Sequence, residues 1–299
     1  MSNDYLWVEK YRPKQISDCI LSTDLKTTFE KIVQSGDLPN MLFSGTAGTG
    51  KTTVAKALCN QLNLDWIIIN GSEDGNIDTL RGKIKQFAST ISLQGGVKVV
   101  ILDEADYLNP QSTQPALRGF IEEFSNNCRF ILTCNFKNRI IEPLHSRCGV
   151  YEFNTSKKDM AILMQQMFER SCNILDKEEV KYDKKDLLPI IAKHAPDWRR
   201  VLNELQRRGV MGSMASNVDS STNTIDQLLS HLKDKDFKKM RSWVVNNIDT
   251  DASAIFRGLY DNAINFVDPQ SVPQLILILA DYQYKNAFVA DHELNVVAC

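Results

Sequence analysis

The residues of this chain best suited to chemistry are a lysine and a threonine set behind spaced glycines, and a pair of adjacent carboxylates further downstream. The run Gly45-Thr46-Ala47-Gly48-Thr49-Gly50-Lys51-Thr52 fits the pattern G-x-x-x-x-G-K-[ST]. Glycines at these offsets let consecutive backbone N–H groups close around phosphate oxygens. A helix opening at Thr53 adds the positive end of its dipole. Lys51 then supplies a compact cation for the β- and γ-phosphates, and the Thr52 hydroxyl a ligand for Mg²⁺. The second group is Val99-Val-Ile-Leu-Asp103-Glu104-Ala105-Asp106. Its aliphatic run reads as a buried strand that delivers two acids at its C-terminal end, where open α/β sheets bind ligands. Asp103 is suited to hold Mg²⁺, directly or through water, and Glu104 to polarise an attacking water as general base. Together they describe a site for Mg²⁺ and a nucleoside triphosphate, with ATP as the expected substrate. Alone, the glycine run would be a turn and the acids a strand end.

Elements of two kinds must position these residues. Apolar, β-prone runs alternate with helical patterns through the first half: 40–44, 66–69, 97–102, 129–133 and 150–153. That alternation predicts a parallel α/β sheet with the glycine run between the first strand and the helix of Thr53-Val-Ala-Lys-Ala-Leu58. From Lys157 onward, apolar residues recur at helical spacing, as in Met160, Leu163, Met164, Met167 and Phe168, so an all-helical domain is expected there. The small, polar stretch 211–224 reads as a linker, and a further helical piece follows it. The expected domains are 1–154, 155–224 and 225–299.

Composition narrows the function classes. Of 299 residues, 43% are hydrophobic and 24% charged, the balance of a globular protein that buries a core. A net charge of −2 excludes a protein that coats nucleic acid through its overall field, so any DNA affinity must come from a local basic face. Seven cysteines, an odd number without CxxC pairs, and four scattered histidines give no sign of a disulfide framework or a zinc site. The N-terminus has no apolar targeting core and no run is long enough to span a bilayer, which predicts a cytosolic protein without membrane contact.

The letters Asp103-Glu104-Ala105-Asp106 also occur in DEAD-box RNA helicases, but those need a second α/β domain with its own motifs, and the second half here is helical. The whole chain instead resembles AAA+ sliding-clamp-loader subunits: the replication factor C small subunits and, closer still, the clamp-loader large subunit of T-even-type phages. The resemblance is carried by Val8-Glu-Lys-Tyr-Arg-Pro13, Gly45 to Thr52, Asp103-Glu104, Thr133-Cys-Asn135, Ser146-Arg147-Cys148 and Pro196-Asp-Trp-Arg199-Arg200. It implies a P-loop AAA+ module, an all-helical lid and an all-helical collar for the three domains. It also implies a DNA-dependent ATPase that opens and loads a ring-shaped processivity clamp on primer–template DNA. The partners would be that clamp, the DNA, copies of the chain itself and a second clamp-loader subunit, in the host cytoplasm if the chain is phage-encoded.

By the same resemblance, Val8, Tyr11, Arg12 and Pro13 line the adenine pocket as an extended segment. Asn135 is the sensor-1 residue, Arg199 the sensor-2 residue of the lid, and Arg147 an arginine finger acting on a neighbouring subunit's site. Arg118 is a second interface arginine. The usual Gly-Asp before sensor 2 is Pro196-Asp197 here, read as the start of a helix whose apolar stripe is Trp198, Val201, Leu202 and Leu205. Arg81 and Lys85 are candidates for the DNA backbone, and Phe87, Ile91 and Leu93 for the clamp. For those five, a charged helix face and ordinary core packing explain the letters equally well. Two rivals remain at this point: another AAA+ DNA machine, such as a helicase loader or branch-migration motor, and a catalytically silent ring subunit. Stimulation by clamp with primed DNA separates the first, and simple ATP turnover the second.

Overall fold

The protein's architecture is taken from a computed structural model that describes residues 5–299 except 74, 93–94, 155, 211–220, 248–251, 287 and 290. It divides into two compact units, Met1–Ala215 and Ser216–Cys299.

The first unit is built on a parallel sheet of β1 (Met41–Ser44), β2 (Trp66–Asn70), β3 (Lys98–Asp103), β4 (Cys128–Cys134) and β5 (Gly149–Glu152), in the order β2-β3-β4-β1-β5. Alternate residues of the central strands face opposite sides. Leu42, Val100, Leu102, Phe130 and Leu132 pack under the helices Ile77–Ala88 and Thr113–Glu123. On the other face, Phe43, Val99, Ile101 and Ile131 pack under Thr23–Ser35 and Lys51–Gln61. Both faces are therefore covered, which is why these strands read as continuous apolar runs rather than as an alternation. The order matters for function: β3, β4 and β1 are neighbours, so the segments leaving their C-terminal ends converge. The register Ser44↔Cys134 and Leu102↔Leu132 sets those ends level.

After β5, helices Lys157–Lys177, Lys184–His194 and Trp198–Val210 share one core of Leu163, Met167, Leu187, Ile191, Val201 and Leu205. Ser156 caps the first by accepting the N–H of Asp159 at 3.1 Å. The N-terminal segment is sewn to the last. Gln206 accepts the Trp7 N–H at 2.9 Å and donates to the Tyr5 carbonyl at 2.6 Å, while Trp7 enters the same core. This corrects one expectation. Val8 to Pro13 is not fully extended; it leaves a helical turn, Trp7–Lys10, that forms because Trp7 is anchored and the Leu6 carbonyl accepts both Glu9 and Lys10 N–H groups.

The second unit is helical: Ser221–Lys233, Phe237–Asn246, Ala252–Phe266, Val272–Asn286 and His292–Ala298 surround Leu228, Trp243, Ile255, Phe256 and Leu279. Its first helix begins at Ser221, so the polar letters 221–224 belong to a helical turn rather than to the linker. The rest of that expected linker, 211–220, lies outside the described residues. Among the described residues no helix is long and apolar enough to cross a membrane.

Candidate nucleotide site

The loop between β1 and the helix Lys51–Gln61 turns on glycines in the left-handed region, Gly48 at φ 76° and Gly50 at φ 93°. Gly50 is the residue before the helix, so the first N–H groups of that helix open toward the loop. Lys51 runs back beneath it. Only 7% exposed, its ammonium donates to the carbonyls of Gly45 and Thr46, each at 2.8 Å, and to Asn135 Oδ1 at 3.0 Å. Burial pulls the Lys51 pKa below the usual lysine value, while the Asp103 and Asp106 carboxylates draw it back up. Gly45 and Thr46, expected among the ligand-binding residues, thus contribute carbonyls to the lysine and stand outside the cavity wall, whereas Ala47 to Thr53 form it.

Asp103 ends β3 beside the loop. Its Oδ1 accepts two hydroxyl protons, from Thr52 and from Thr133, both at 2.6 Å. Glu104 leaves the strand with φ 55° and ψ 44°, a conformation rare outside glycine, and is part of the cavity wall. Asp106, 6% exposed, turns inward and accepts the N–H groups of Asn135 and Phe136 at 3.2 Å, fixing the start of the loop after β4.

The remaining wall comes from the N-terminal segment and the helical region. Val8, Tyr11, Arg12 and Pro13 line it, with Arg12 braced by Glu9 and donating to Thr53 Oγ1 at 3.0 Å. Tyr11 donates to Glu178 at 2.5 Å. Arg199, in the first turn of Trp198–Val210, faces the same cavity. That helix runs from Trp198 with Asp197 as its cap, which accepts the Arg200 N–H on its side chain at 3.1 Å and the Val201 N–H on its carbonyl at 3.2 Å. The cap rests on the phosphate loop, with the Trp198 N–H on the Gly48 carbonyl at 3.1 Å.

Several residues in and behind the wall were given no role from the sequence. Thr133 and Asp106 organise the acid pair and Asn135. Cys19, Ile20, Met167, Arg170, Trp198 and Leu202 complete the apolar end. Arg170 was recognisable, since it stands one turn after Met167 within an apolar stripe; its guanidinium holds the Asp18 and Tyr11 carbonyls. Burial pushes the Cys19 and Cys134 thiols up to about 12, so both stay protonated at neutral pH.

Other expected residues lie elsewhere. Arg147 is outside its own chain's cavity, donating to Glu122 Oε1 at 2.5 Å and the Pro143 carbonyl at 2.9 Å; Arg118 stands 3.9 Å from the same carboxylate. Arg81 and Lys85 are exposed one turn apart on Ile77–Ala88. Of the apolar trio, Ile91 is 92% exposed, past the helix end. Phe87 is half-buried against the core beneath the Lys98 ammonium, 4.7 Å from its ring. Leu93 lies outside the described residues.

A parallel sheet with a phosphate loop after its first strand, an acid pair on a neighbouring strand and a helical cap over the loop defines a P-loop ATPase with an attached lid. Residues 41–155 match the family described as "ATPase family associated with various cellular activities (AAA)". The chain is 39% identical to the sliding-clamp-loader large subunit of Escherichia phage RB69, over 99% of this chain and 94% of that one. It is 36% identical to the same subunit of Enterobacteria phage T4, over 98% and 93%. With the replication factor C small subunit of Sulfurisphaera tokodaii it shares 32% over 100% and 94%. The chain belongs to this sliding-clamp-loader subunit family and is an AAA ATPase. A solved structure of Thermotoga maritima RuvB, 20% identical and covering 73% of each chain with a TM-score of 0.55, shares the fold.

Gly48 gives the site a direct test. A Cβ there would fall 1.8 Å from Asp197 Oδ1, on a backbone that disfavours side chains. Gly48→Ala is expected to cost about 1–3 kcal/mol through strain and to weaken ATP binding, read by calorimetry. Gly82→Ala is the control: open space surrounds that helical glycine, and a gain of about 0.4–1 kcal/mol is expected. Equal ATP affinity and melting temperature for Gly48→Ala and the unaltered chain would contradict the packing of loop on lid.

Proposed function

We infer that this chain is the ATP-hydrolysing subunit of a clamp loader, which uses a triphosphate to open a sliding clamp and hydrolysis to release it on primer–template DNA. One observation carries the reading: loop, acid pair, Asn135 and Arg199 share one cavity, while Arg147 stands on the outer surface. The site is then complete only when another subunit supplies a cation.

In this reading, Val8, Tyr11, Arg12 and Pro13 flank the adenine, Ala47 to Thr53 cradle the phosphates through their N–H groups, and Lys51 turns its ammonium to the β- and γ-oxygens. Thr52 Oγ1 and Asp103 Oδ1 are two hard oxygen donors 2.6 Å apart at the foot of that cradle, a donor set that fits Mg²⁺, which when bound offsets charge on the triphosphate. Glu104 accepts the proton of the attacking water. Asn135, already fixed by Lys51 and Asp106, orients that water against the γ-phosphate. Arg199 contacts the phosphates from the lid helix, so loss of the γ-phosphate loosens the lid from the loop. Arg147 of the adjacent subunit neutralises the charge that develops in transfer, after giving up Glu122; such arginines are worth about 10³–10⁵ in rate in related phosphoryl-transfer sites.

The same reading takes 1–154 as the ATPase module, 155–224 as the lid and 225–299 as a collar that assembles the ring with copies of the chain and a second loader subunit. Arg81 and Lys85 face the DNA backbone and Arg118 the neighbouring subunit. The exposed Ile91, with Phe87 and Leu93 beside it in sequence, forms the clamp contact.

Mixing experiments test the trans arginine. Glu104→Gln should bind ATP and fail to turn it over, and Arg147→Ala should be nearly inactive by itself. Co-assembled, an interface pairing the cavity of an Arg147→Ala subunit with Arg147 of a Glu104→Gln subunit is complete, about one interface in four of an equal random mixture. Activity should return on mixing. A mixture that stays inactive, with co-assembly confirmed by cross-linking, would contradict a finger acting in trans. For the DNA face, neutralising Arg81 and Lys85 together should reduce the salt dependence of DNA-stimulated turnover by a slope of roughly two and spare basal turnover. An unchanged slope returns both residues to a solvated helix face.

A further inference from the structure

Among the described residues, Thr133 is the side chain that hydrogen-bonds to both acids of the proposed catalytic pair. It is 1% exposed, on β4, where the register of β3 and β4 sets it beside Asp103. Its hydroxyl accepts the Glu104 N–H at 3.1 Å and donates to Asp103 Oδ1 at 2.6 Å. The directions are fixed: an N–H can only donate, an ionised carboxylate can only accept, and the hydroxyl has one proton. A relay therefore runs from the Glu104 amide through Thr133 to the Asp103 carboxylate, whose Oδ1 also takes the Thr52 proton.

The consequence falls on Glu104. Along β3 the ladder to β4 is made by backbone groups, and it stops where Glu104 turns left-handed. There a side chain replaces the backbone as partner for the amide. The peptide unit that carries this N–H is held on its other side by the Gly71 N–H on the Asp103 carbonyl at 2.7 Å, and the Tyr107 N–H reaches the Glu104 carbonyl at 3.0 Å. A left-handed glutamate is costly and persists where its surroundings hold it. Sterics alone do not require a hydroxyl at position 133, since valine has the same branched shape.

We propose that Thr133 is a positioning residue for ATP hydrolysis: its hydroxyl holds the Glu104 backbone in the left-handed conformation and turns the Asp103 carboxylate, and so sets where the base stands over the phosphate cradle. This rests on Glu104 as the base. Asn135, two residues along the same strand end, holds Lys51, so β4 couples the base to the lysine.

The test compares Thr133→Val, Thr133→Ser and Glu104→Gln in the full chain assembled with its loader partners, reading melting, nucleotide affinity without added metal, and steady-state kcat and KM. Thr133→Val is expected to fold, to keep nucleotide affinity within about threefold and to lose about 10²-fold in kcat, the size of effect that follows a small misplacement of a reacting group. Thr133→Ser, which restores the hydroxyl but not the methyl, should recover most of that rate. If Thr133→Val does not melt cooperatively, Thr133→Ala replaces it in the comparison with Thr133→Ser. Unaltered kcat without the hydroxyl, or Thr133→Ser as slow as the variant lacking it, overturns the proposal. Glu104→Gln separates the two levels. Its turning over like the unaltered chain removes the base assignment itself, whereas an inactive Glu104→Gln beside a fully active Thr133→Val removes only the role of Thr133.

Discussion

An ammonium ion almost withdrawn from water is the constraint around which this site is arranged. Burying the Lys51 charge is expensive unless hydrogen-bond acceptors replace the lost water. The chain provides three, two loop carbonyls and the Asn135 amide oxygen. They come from the segments after β1 and after β4, which can meet at one lysine only because those strands are neighbours in the sheet. The lysine thereby ties the glycine loop to Asn135, at the end of β4. Losing its side chain would take a donor from the buried Gly45 carbonyl and from the Asn135 amide oxygen, while the Thr46 carbonyl would keep the Thr49 hydroxyl at 2.9 Å.

Two lines of contact lead away from that anchor. One passes through hydroxyls, from Thr52 to Asp103 and from Asp103 through Thr133 to the backbone of Glu104, and it joins the proposed metal donors to the proposed base in a single chain of hydrogen bonds. The other passes through the absence of a side chain. Gly48 lets Asp197 and Trp198 lie against the loop, so the helix bearing Arg199 begins on the glycine loop itself. The N-terminal segment closes the third side, held by Gln206 and Arg170 rather than by the sheet. The cavity is therefore bounded by the sheet, the helical region and the N-terminal segment at once, which is the arrangement needed if hydrolysis of a ligand held there is to change how they sit together.

Much of this was legible in the sequence, for identifiable reasons. The central strands are apolar on both faces, and the edge strands are short β-prone runs, so all five positions were apparent within a residue or two at each end. The glycine run and the acid pair have spacings that follow directly from phosphate and metal chemistry. What stayed hidden depends on tertiary neighbours. Thr133 looks like any β-branched strand residue until the register sets it beside Asp103. Gly48 looks like every other glycine of the loop until Asp197 arrives from far along the chain. The helical turn at Trp7–Lys10 follows from an anchor on Gln206, a contact that no local pattern announces. Phe87 shows the limit on the surface: its letters fit a clamp contact or core packing equally well, and what sets its ring against the core is the buried Lys98 ammonium, which donates to the Phe87 carbonyl at 3.0 Å. Ile91, past the helix end, is left in solvent.

The central claim is that this cavity burns ATP in order to place a clamp on DNA, and ATPase turnover of the assembled loader measures it most directly. Rates would be compared with no addition, with the cognate clamp, with primer–template DNA, and with both. A clamp loader should respond to clamp and primed DNA together by more than the sum of the separate responses, and single strands or four-way junctions should not replace the primed template. Turnover indifferent to the clamp, or driven fully by junction DNA without it, would contradict the account.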